Sequence, residues 1–190
     1  IDYSLHFDAH LLANYLQSIT QVDKHIYDEI KNIQYDENGN IIKINDIECD
    51  FVFDCTGFRR ELIGKEYGSK WKSYDCLPIK KAIPFFLPTD NKPYTQAIAM
   101  KYGWVWKIPL QHRYGAGYIF DSDYITVEQA FNEAKEMFPD IEYTRTIDFN
   151  AGRYEQTWIN NCIAVGLSSG FTEPLEATSI WMATEQLRTL

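Results

Sequence analysis

The sequence predicts a mixed α/β fold that contains an antiparallel sheet and a second sheet of a different kind. Three observations predict it. Four strand-like runs follow one another between residues 79 and 120, as in an antiparallel sheet. Two short apolar runs, 51–53 and 162–165, are typical of buried strands. Apolar residues with helical spacing recur near both ends and after residue 126.

The first elements are predicted to be a strand, a helix and a hairpin. Residues 1–7 have the pattern of a strand, and Asp8 is the expected N-cap of a helix over residues 9–19. The inward face of that helix would carry Ala9, Leu12, Ala13, Leu16 and Ile19. A turn rich in residues that tolerate positive φ separates runs 25–35 and 41–45, which predicts a hairpin. The apolar strand 51–53 follows.

The later elements are strands on both sides of one well-marked helix. A short helix or irregular stretch is expected over 59–78, followed by strands at 79–86, 94–101, 104–109 and 114–120. Thr126 and Gln129 form a capping-box pattern. The helix after it would turn inward Val127, Ala130, Phe131, Ala134, Met137 and Phe138. We then expect strands at 142–151 and 162–165, a turn over 166–170, and a last helix with Pro174 in its first turn.

The two ends of the sequence lie inside predicted elements. A strand has already begun at Ile1, and the helical spacing of the last segment runs to Leu190 with no stop signal. On this ground we expect the 190 residues to be a fragment of a longer protein.

The composition narrows the classes of partner. Lys and Arg number 18 against 27 Asp and Glu, for a net charge of −9, so we expect no nucleic-acid partner. No apolar run approaches the ~18 residues of a membrane span, so we expect no membrane partner. Cys49, Cys55, Cys76 and Cys162 lack C-x-x-C spacing, which predicts reduced thiols, no metal site and a cytoplasmic location.

Two glycine motifs point to chemistry that the rest of the sequence does not support. Residues 166–170 match the G-x-S-x-G nucleophile elbow of hydrolases, but no Asp or His follows Ser168. A hydrolase whose histidine lies beyond Leu190 stays open as an alternative. Gly115 and Gly117 begin like a dinucleotide fingerprint, yet a strand follows, so we expect a turn of the sheet.

Three further segments could carry a site, and each has a plain structural alternative. The apolar strand 51–53 ends near Gly57, where backbone can approach a cofactor closely, or it is an ordinary strand and turn. Trp104 and Trp106 lie on one face of a strand, as active-site or core aromatics. Residues 171–180 lead a turn into a helix N-terminus, which binds anions; alternatively, its glutamates only complement the helix dipole.

These segments together resemble the flavin-dependent tryptophan halogenase family. The most specific parts are the W-x-W-x-I-P hexapeptide at 104–109 and the run 171–180. The resemblance covers nearly the whole chain, with further matches at 3–9, 54–59, 94–95, 111–113, 117–118, 152–153 and 161–170.

The resemblance implies an FAD/NAD(P)-binding fold of the flavin monooxygenase type with an antiparallel substrate-side sheet, here incomplete. Residues 1–58 would belong to the FAD-binding module, 59–150 to the substrate-side sheet and helix, and 151–190 to a return into the FAD-binding module. These would form one interleaved domain. The family's G-x-G-x-x-G loop and its catalytic lysine are absent from the 190 residues, and Lys107 does not take the role of that lysine.

The implied function is halogenation of an electron-rich aromatic such as tryptophan or indole. The cofactors would be reduced FAD and a halide ion, chloride or bromide, with dioxygen as oxidant. A flavin reductase would supply the reduced FAD, and the substrate would be a small aromatic molecule. A flavin monooxygenase-like member of the family and a non-catalytic fragment remain alternatives.

The resemblance also assigns site residues position by position. Glu176 matches the catalytic glutamate beside the absent lysine, and Thr178 and Ser179 match the residues that hold halide. The flavin contacts would be Leu167 and Ile180, with Ile30 as a weaker match to an adenine contact. Trp104, Trp106 and Gly57 match motif residues with a structural role. Ala177 and Ser179 depart from the family's usual Ser and Gly, which motivates the monooxygenase alternative.

Overall fold

The computed structural model describes residues 5–90, 92–173 and 178–190. Its helices and strands confirm the predicted mixed α/β class. The helices are α1 (Ala9–Ile19), α2 (Val127–Met137) and α3 (Ser179–Arg188). The strands, in chain order, are β1 (Ile33–Tyr35), β2 (Ile41–Ile44), β3 (Ile47–Glu48), β4 (Val52–Asp54), β5 (Trp71–Ser73), β6 (Lys81–Leu87), β7 (Gln96–Ala99), β8 (Gly103–Pro109), β9 (Tyr114–Phe120), β10 (Ile147–Asp148), β11 (Gly152–Tyr154), β12 (Trp158–Ile159), β13 (Cys162–Ala164) and β14 (Gly170–Phe171).

The chain divides into two compact units, each built from two separate stretches of sequence. The first unit contains residues 1–26 and 79–148, and the second contains residues 27–78 and 149–190. The three modules inferred from the resemblance remain a prediction. Within the described parts of both units, no helix is long and apolar enough to cross a membrane.

The first unit is built on an antiparallel sheet with the strand order β10-β6-β9-β8-β7. Its four long strands lie where the sequence predicts them, although the run 94–101 contributes only Gln96–Ala99. The run 142–151 contributes only Ile147–Asp148 to this sheet, where it pairs with β6. The core between the sheet and α2 is apolar and includes Ile83, Phe85, Val105, Tyr118, Phe120, Ala130 and Ala134.

Helix α2 begins at the predicted capping box. The Thr126 hydroxyl accepts a hydrogen bond from the Gln129 N–H, and the Gln129 side chain accepts one from the Thr126 N–H. Ala130 and Ala134 are fully buried as expected, but Met137 is 48% exposed, so its predicted inward position is wrong. Phe138 follows the last residue of the helix and packs its ring 5.8 Å from that of Phe85, against the core as predicted.

Helix α1 starts after its predicted cap but does not bury its predicted face. The Asp8 carboxylate accepts hydrogen bonds from the His10 and Leu11 N–H groups. No residue of α1 is buried, and Leu16 and Ile19 are about half exposed. The spacing therefore predicted the helix correctly, but the apolar face of the helix is not buried within the described residues. Residues 1–4 of the predicted first strand lie outside the described residues, and residues 5–7 form no strand.

The second unit begins with the predicted hairpin, which is shorter than expected. Strands β1, β2 and β3 form an antiparallel sheet, and the turn Asp36–Asn40 is closed by the Asp36 carboxylate. The predicted strand from His25 begins only at Ile33. Residues before it are held instead by the Asn45 side chain, whose Oδ1 accepts hydrogen bonds from the Lys31 and Asn32 N–H groups. The Asn45 side chain thus accepts hydrogen bonds that a neighbouring strand would accept in a sheet.

Strand β4 lies beside β13 in a parallel pair, and β12 continues that sheet. Val52 and Asp54 are buried, whereas Phe51 and Phe53 are exposed. The face of this strand that carries Phe51 and Phe53 is therefore uncovered within the described residues. The two phenylalanine rings lie 5.2 Å apart, and Trp158 contacts Phe51 at 5.8 Å. They form an exposed aromatic cluster on one face of the sheet.

Candidate functional site

Two turns leave the same edge of the parallel pair in the second unit. Ala164 lies opposite Asp54 at the carboxyl ends of β13 and β4, and the Val165 N–H donates to the Asp54 carbonyl oxygen at 3.0 Å. Ligands of α/β folds bind outside the carboxyl ends of parallel strands. The turns 55–60 and 165–170 therefore form the candidate site.

The carboxylate of Asp54 holds the first turn. This side chain is fully buried, and its Oδ1 accepts hydrogen bonds from the Thr56 N–H at 3.0 Å and the Thr56 hydroxyl at 2.7 Å. Its Oδ2 accepts from the Leu62 and Ile63 N–H groups at 3.1 and 3.0 Å. These four donors compensate the desolvation of the charge. The carboxylate thus fixes both the turn and the π-helical segment Glu61–Glu66 that follows it.

Gly57 connects the two turns and leaves space above itself. Its backbone has φ +66°, a region that favours glycine. Its N–H donates to the Ser168 hydroxyl oxygen at 2.8 Å. A Cβ at this position would meet no atom of the described residues within 4 Å. This open space is compatible with the close approach of a cofactor, one of the two alternatives that the sequence offers for this strand end.

Ser168 does not have the environment of a hydrolase nucleophile. Its side chain is fully buried and bound to Gly57, whereas a nucleophile elbow exposes its serine. His6, His10, His25 and His112 all belong to the first unit. The geometry gives the hydrolase alternative no support.

The second turn carries Leu167, the expected flavin contact. Gly166, Leu167 and Ser168 form a 3₁₀ turn that begins at φ +63° on Gly166. Leu167 is half-buried, and Ser168 and Ser169 are buried beneath it. The side chain of Gln186 on α3 contacts both Gly166 and Ser169. The turn is thus held from one side by Gly57 and from the other by α3.

Helix α3 begins at the expected halide residues. Thr178 precedes its first residue, Ser179, and makes no side-chain capping hydrogen bond. Unpaired N–H groups and the positive end of the dipole occur at such a terminus. Ile180, an expected flavin contact, is 56% exposed. Glu176, the expected catalytic residue, lies outside the described residues, as do Pro174 and Ala177.

Ile30, the weaker expected contact, lines a polar hollow of about 540 Å³. Glu61 and Glu66 of the π-helical segment lie on its wall with Asn45. The Tyr35 hydroxyl donates to Glu66 at 3.2 Å, and burial together with this carboxylate raises the pKa of Tyr35 to about 12. No described contact joins Ile30 to the two turns. The structure places it near the site's π-helical segment and not in the turns themselves.

The two tryptophans of the hexapeptide lie in the first unit, on β8. Both are half-buried and alternate with the buried Val105, so they share one face as predicted. Trp106 lies across Gly117 of the neighbouring strand: a Cβ at Gly117 would be 2.1 Å from the indole ring. Gly117 is therefore a packing requirement of the sheet, consistent with the prediction that this motif is no dinucleotide loop.

Sequence reasoning missed two features of the second unit. Arg60 adopts φ +52° and stacks its guanidinium 3.6 Å from the centre of the Trp71 ring. Its Nε and Nη2 atoms and the Trp71 Nε1 atom are buried without a partner among the described residues, and burial lowers the pKa of Arg60. The second is the contact of Gln186 with the turn. The only signal for it was the helical spacing that places Ala183 and Gln186 on one face of α3.

The whole length of the chain, residues 1–190, matches the tryptophan halogenase family model. The chain belongs to the tryptophan halogenase family. The tryptophan 6-halogenase SttH of Streptomyces toxytricini is 40% identical over 97% of this chain and 39% of its own length. The tryptophan 7-halogenase RebH of Lentzea aerocolonigenes is 36% identical over 95% of this chain and 37% of its own length. The chain thus spans about two fifths of these relatives.

Solved structures agree with this assignment of the fold. The crystal structure of SttH superposes with a TM-score of 0.89 over 97% of this chain and 40% of that protein. BrvH, a flavin-dependent halogenase from Brevundimonas sp. BAL3, superposes with a TM-score of 0.84 at 32% identity, over 97% of this chain and 41% of that protein. The predicted resemblance and the predicted fold are both confirmed. The roles of the individual site residues remain predictions.

Proposed function

We propose that the whole protein is a flavin-dependent halogenase that uses reduced FAD, dioxygen and halide to halogenate an electron-rich aromatic, with tryptophan as the first candidate. The observation that supports this most is the end-to-end match of the chain to tryptophan halogenases. A flavin reductase that supplies reduced FAD and a location in the cytoplasm are parts of the same proposal.

The residues of the second unit fit a flavin. Gly57 has a left-handed backbone and open space above it, so a ring system can lie against the turn without a clash. Leu167 offers an apolar contact on the second turn, and Ile180 offers one on α3. Ile30 would contact the adenine end. When bound, reduced FAD supplies the electrons that activate dioxygen.

The start of α3 fits a halide ion. The backbone N–H groups of Thr178 and Ser179 stand at the positive end of a ten-residue helix, and such a terminus stabilises an anion. The Thr178 hydroxyl lies 3.4 Å from the Thr172 hydroxyl, so the Thr178 side chain points toward Thr172. Halide binding would therefore depend on the backbone here.

Glu176 would act on the substrate. Its carboxylate would hold the lysine that the family places elsewhere in the protein, or accept the proton from the ring carbon that is halogenated. Both roles require an ionised carboxylate next to the reacting atoms. Trp104 and Trp106 would have a structural role and take no part in proton transfer.

The direct test is turnover by the full-length protein. The assay supplies FAD, NADH, a flavin reductase and tryptophan, with and without bromide, and detects product by mass spectrometry. We expect monobrominated tryptophan that requires bromide, FAD and the reductase together. An oxygenated product formed equally well without bromide would contradict the proposal.

A further inference from the structure

The side chain of Gln186 closes both ends of the turn that carries Leu167. The Gly166 N–H donates to Gln186 Oε1 at 3.0 Å, and Gln186 Nε2 donates to the Ser169 hydroxyl oxygen at 2.9 Å. One amide thus serves as acceptor for the first residue of the turn and as donor to the last.

The turn itself completes a small closed network. The Ser169 hydroxyl donates to the Gly166 carbonyl oxygen at 2.7 Å, and the Ser169 N–H reaches the same oxygen at 2.9 Å. Ser169 is 2% exposed, so its polar groups depend on these partners. A buried network that is fully satisfied is rigid, and the loss of one member leaves the others unpaired.

Helix α3 connects this network to the expected halide residues. Ala183, one turn before Gln186, also packs against the turn: a Cβ on Gly166 would lie 3.7 Å from the Ala183 Cβ. Thr178 and Ser179 are at the start of the same helix. About two helical turns, or roughly 11 Å, separate them from Gln186. The helix therefore sets the distance between its own first residues and the turn.

We propose that Gln186 is a positioning residue of the halogenation site. It fixes the turn of Leu167 to α3, and so fixes the place of the flavin contact relative to the halide-binding start of the helix. This inference rests on the proposed function. It predicts that the loss of the Gln186 hydrogen bonds weakens the binding of FAD and of halide, while the chemical step at saturation changes little.

The test uses the full-length protein with Gln186→Met, which keeps the length of the side chain and removes its hydrogen bonds. Arg188→Gln is the matched control, because Arg188 lies on the same helix and its side chain is 74% exposed. We expect Gln186→Met to raise the dissociation constant of FAD and the KM for bromide by about tenfold, the size of one to two lost hydrogen bonds. The kcat with both saturating should stay within about threefold.

The second variant is Ser169→Ala, alone and combined with Gln186→Met. Because the two side chains share one network, the double variant should weaken FAD binding less than the sum of the single effects. Unchanged FAD and bromide constants in Gln186→Met would overturn the inference. A lower thermal midpoint with unchanged constants would also overturn it, since Gln186 would then serve stability alone.

The wild-type protein separates this inference from the proposed function. A wild type that binds FAD but forms no brominated product overturns the proposed function alone, and Gln186 is then judged on the FAD dissociation constant. A wild type that binds no FAD overturns both.

Discussion

Asp54 and Arg60 both have buried polar side-chain atoms in the second unit, but only Asp54 has a described hydrogen-bond partner for each of them. The Asp54 carboxylate accepts four hydrogen bonds. The Arg60 guanidinium stacks on Trp71 and has a hydrogen bond with Tyr154, but its Nε and Nη2 atoms have no acceptor among the described residues. Unpaired buried donors cost free energy that stacking only partly returns. The carboxylate therefore stabilises the turn, whereas the guanidinium is a net cost.

This contrast predicts that Arg60→Met leaves the full-length protein as stable or more stable, by up to about 1 kcal/mol of unfolding free energy. Methionine keeps an unbranched stem against Trp71 and has the same cost at positive φ, so the change reports on the guanidinium. Arg59→Met is the control: Arg59 is 71% exposed, and its effect should stay within about 0.5 kcal/mol. Urea unfolding measures both. A loss above about 1 kcal/mol in Arg60→Met would mean that stacking outweighs desolvation.

Glu176 is the residue on which the proposed chemistry depends. In the full-length protein, Glu176→Gln should reduce brominated product by roughly 10²–10⁴-fold, the usual contribution of a general acid or base. The amide keeps the shape, so stability should change by less than about 1 kcal/mol. Product mass and hydrogen peroxide are followed together, because flavin reduction and peroxide release should persist.

Glu173 is the matched control for Glu176. It precedes Glu176 by three residues in the sequence, and the family resemblance gives it no role in proton transfer. Glu173→Gln should therefore remain near wild-type activity. Equal losses in both variants would indicate a shared electrostatic effect on the segment, and an active Glu176→Gln would remove the proposed catalytic role.

At the scale of elements, the β8–β9 pair shows a contact that the sequence motif only hinted at. Trp106 lies opposite Gly117, and its indole fills the space where a side chain would be. A Cβ on Gly115, two residues earlier on the same strand, would meet only the Arg113 Nη1 atom among the described residues, at 3.7 Å. The two glycines of one motif therefore carry different constraints.

Gly117→Ala should lower the unfolding free energy of the full-length protein by about 2 kcal/mol, the usual cost of overpacking. Gly115→Ala should cost less than about 0.5 kcal/mol. In a Trp106→Ala background the effect of Gly117→Ala should largely disappear, because the clashing ring is gone. Equal losses of unfolding free energy in Gly117→Ala and Gly115→Ala would contradict this, because they would show that the contact with the Trp106 ring does not matter.

The loop between β6 and β7 is attached to the sheet through Asp90. Its carboxylate accepts a hydrogen bond from the Tyr114 hydroxyl and lies 3.5 Å from Lys107 Nζ. The Tyr114 hydrogen bond, with the nearby lysines, lowers the pKa of Asp90 to about 2 from an ordinary 3.8. A lowered carboxyl pKa contributes stability that is present above about pH 4 and is lost as the pH falls toward 2.

Asp90→Asn should therefore make the stability depend less on pH in the acid range. Thermal midpoints measured between pH 5 and pH 2 should fall less steeply in the variant than in the wild type, although the variant starts lower near neutral pH. The reason is that asparagine cannot titrate and cannot pair with Lys107. Parallel curves for the two proteins would contradict this role of Asp90.

Helices and long strands could be predicted from sequence, and their burial could be predicted only in part, as for Ala130 and Ala134 of α2. The cap residues Asp8 and Thr126 act locally, so α1 and α2 begin where predicted. The apolar face of α1 predicted a cover that the described residues do not supply. The strand predicted before Ile33 did not form, because the Asn45 side chain holds that segment and no described strand pairs with it. Local signals fix elements, whereas burial depends on distant residues.

At the scale of the whole molecule, the two units divide the expected site residues. Gly57, Leu167 and Ser179 belong to the second unit, and Trp104 and Trp106 belong to the first. Family resemblance named these residues, since no periodicity or spacing links positions so far apart in sequence. The contact between Gly57 and Ser168, by contrast, could be seen only in the fold, because it joins residues more than a hundred positions apart.

Residues 1–190 alone should bind FAD only weakly. In dinucleotide-binding folds the pyrophosphate rests on a glycine-rich loop and a helix N-terminus, and no G-x-G-x-x-G occurs in this sequence. The turns at Gly57 and Gly166 offer contacts to only part of the cofactor. The 190-residue chain should therefore bind FAD at least about 100-fold more weakly than the full-length protein, as measured by quenching of flavin fluorescence.

The same chain should also bind a hydrophobic dye, because Phe53, Trp158 and Leu16 are each about half exposed and exposed apolar clusters take up such probes. The full-length protein, titrated in parallel, is the reference for both measurements. Micromolar FAD affinity of the isolated chain would contradict the prediction, since it would mean that the two turns and the start of α3 form a sufficient FAD site without a glycine-rich loop.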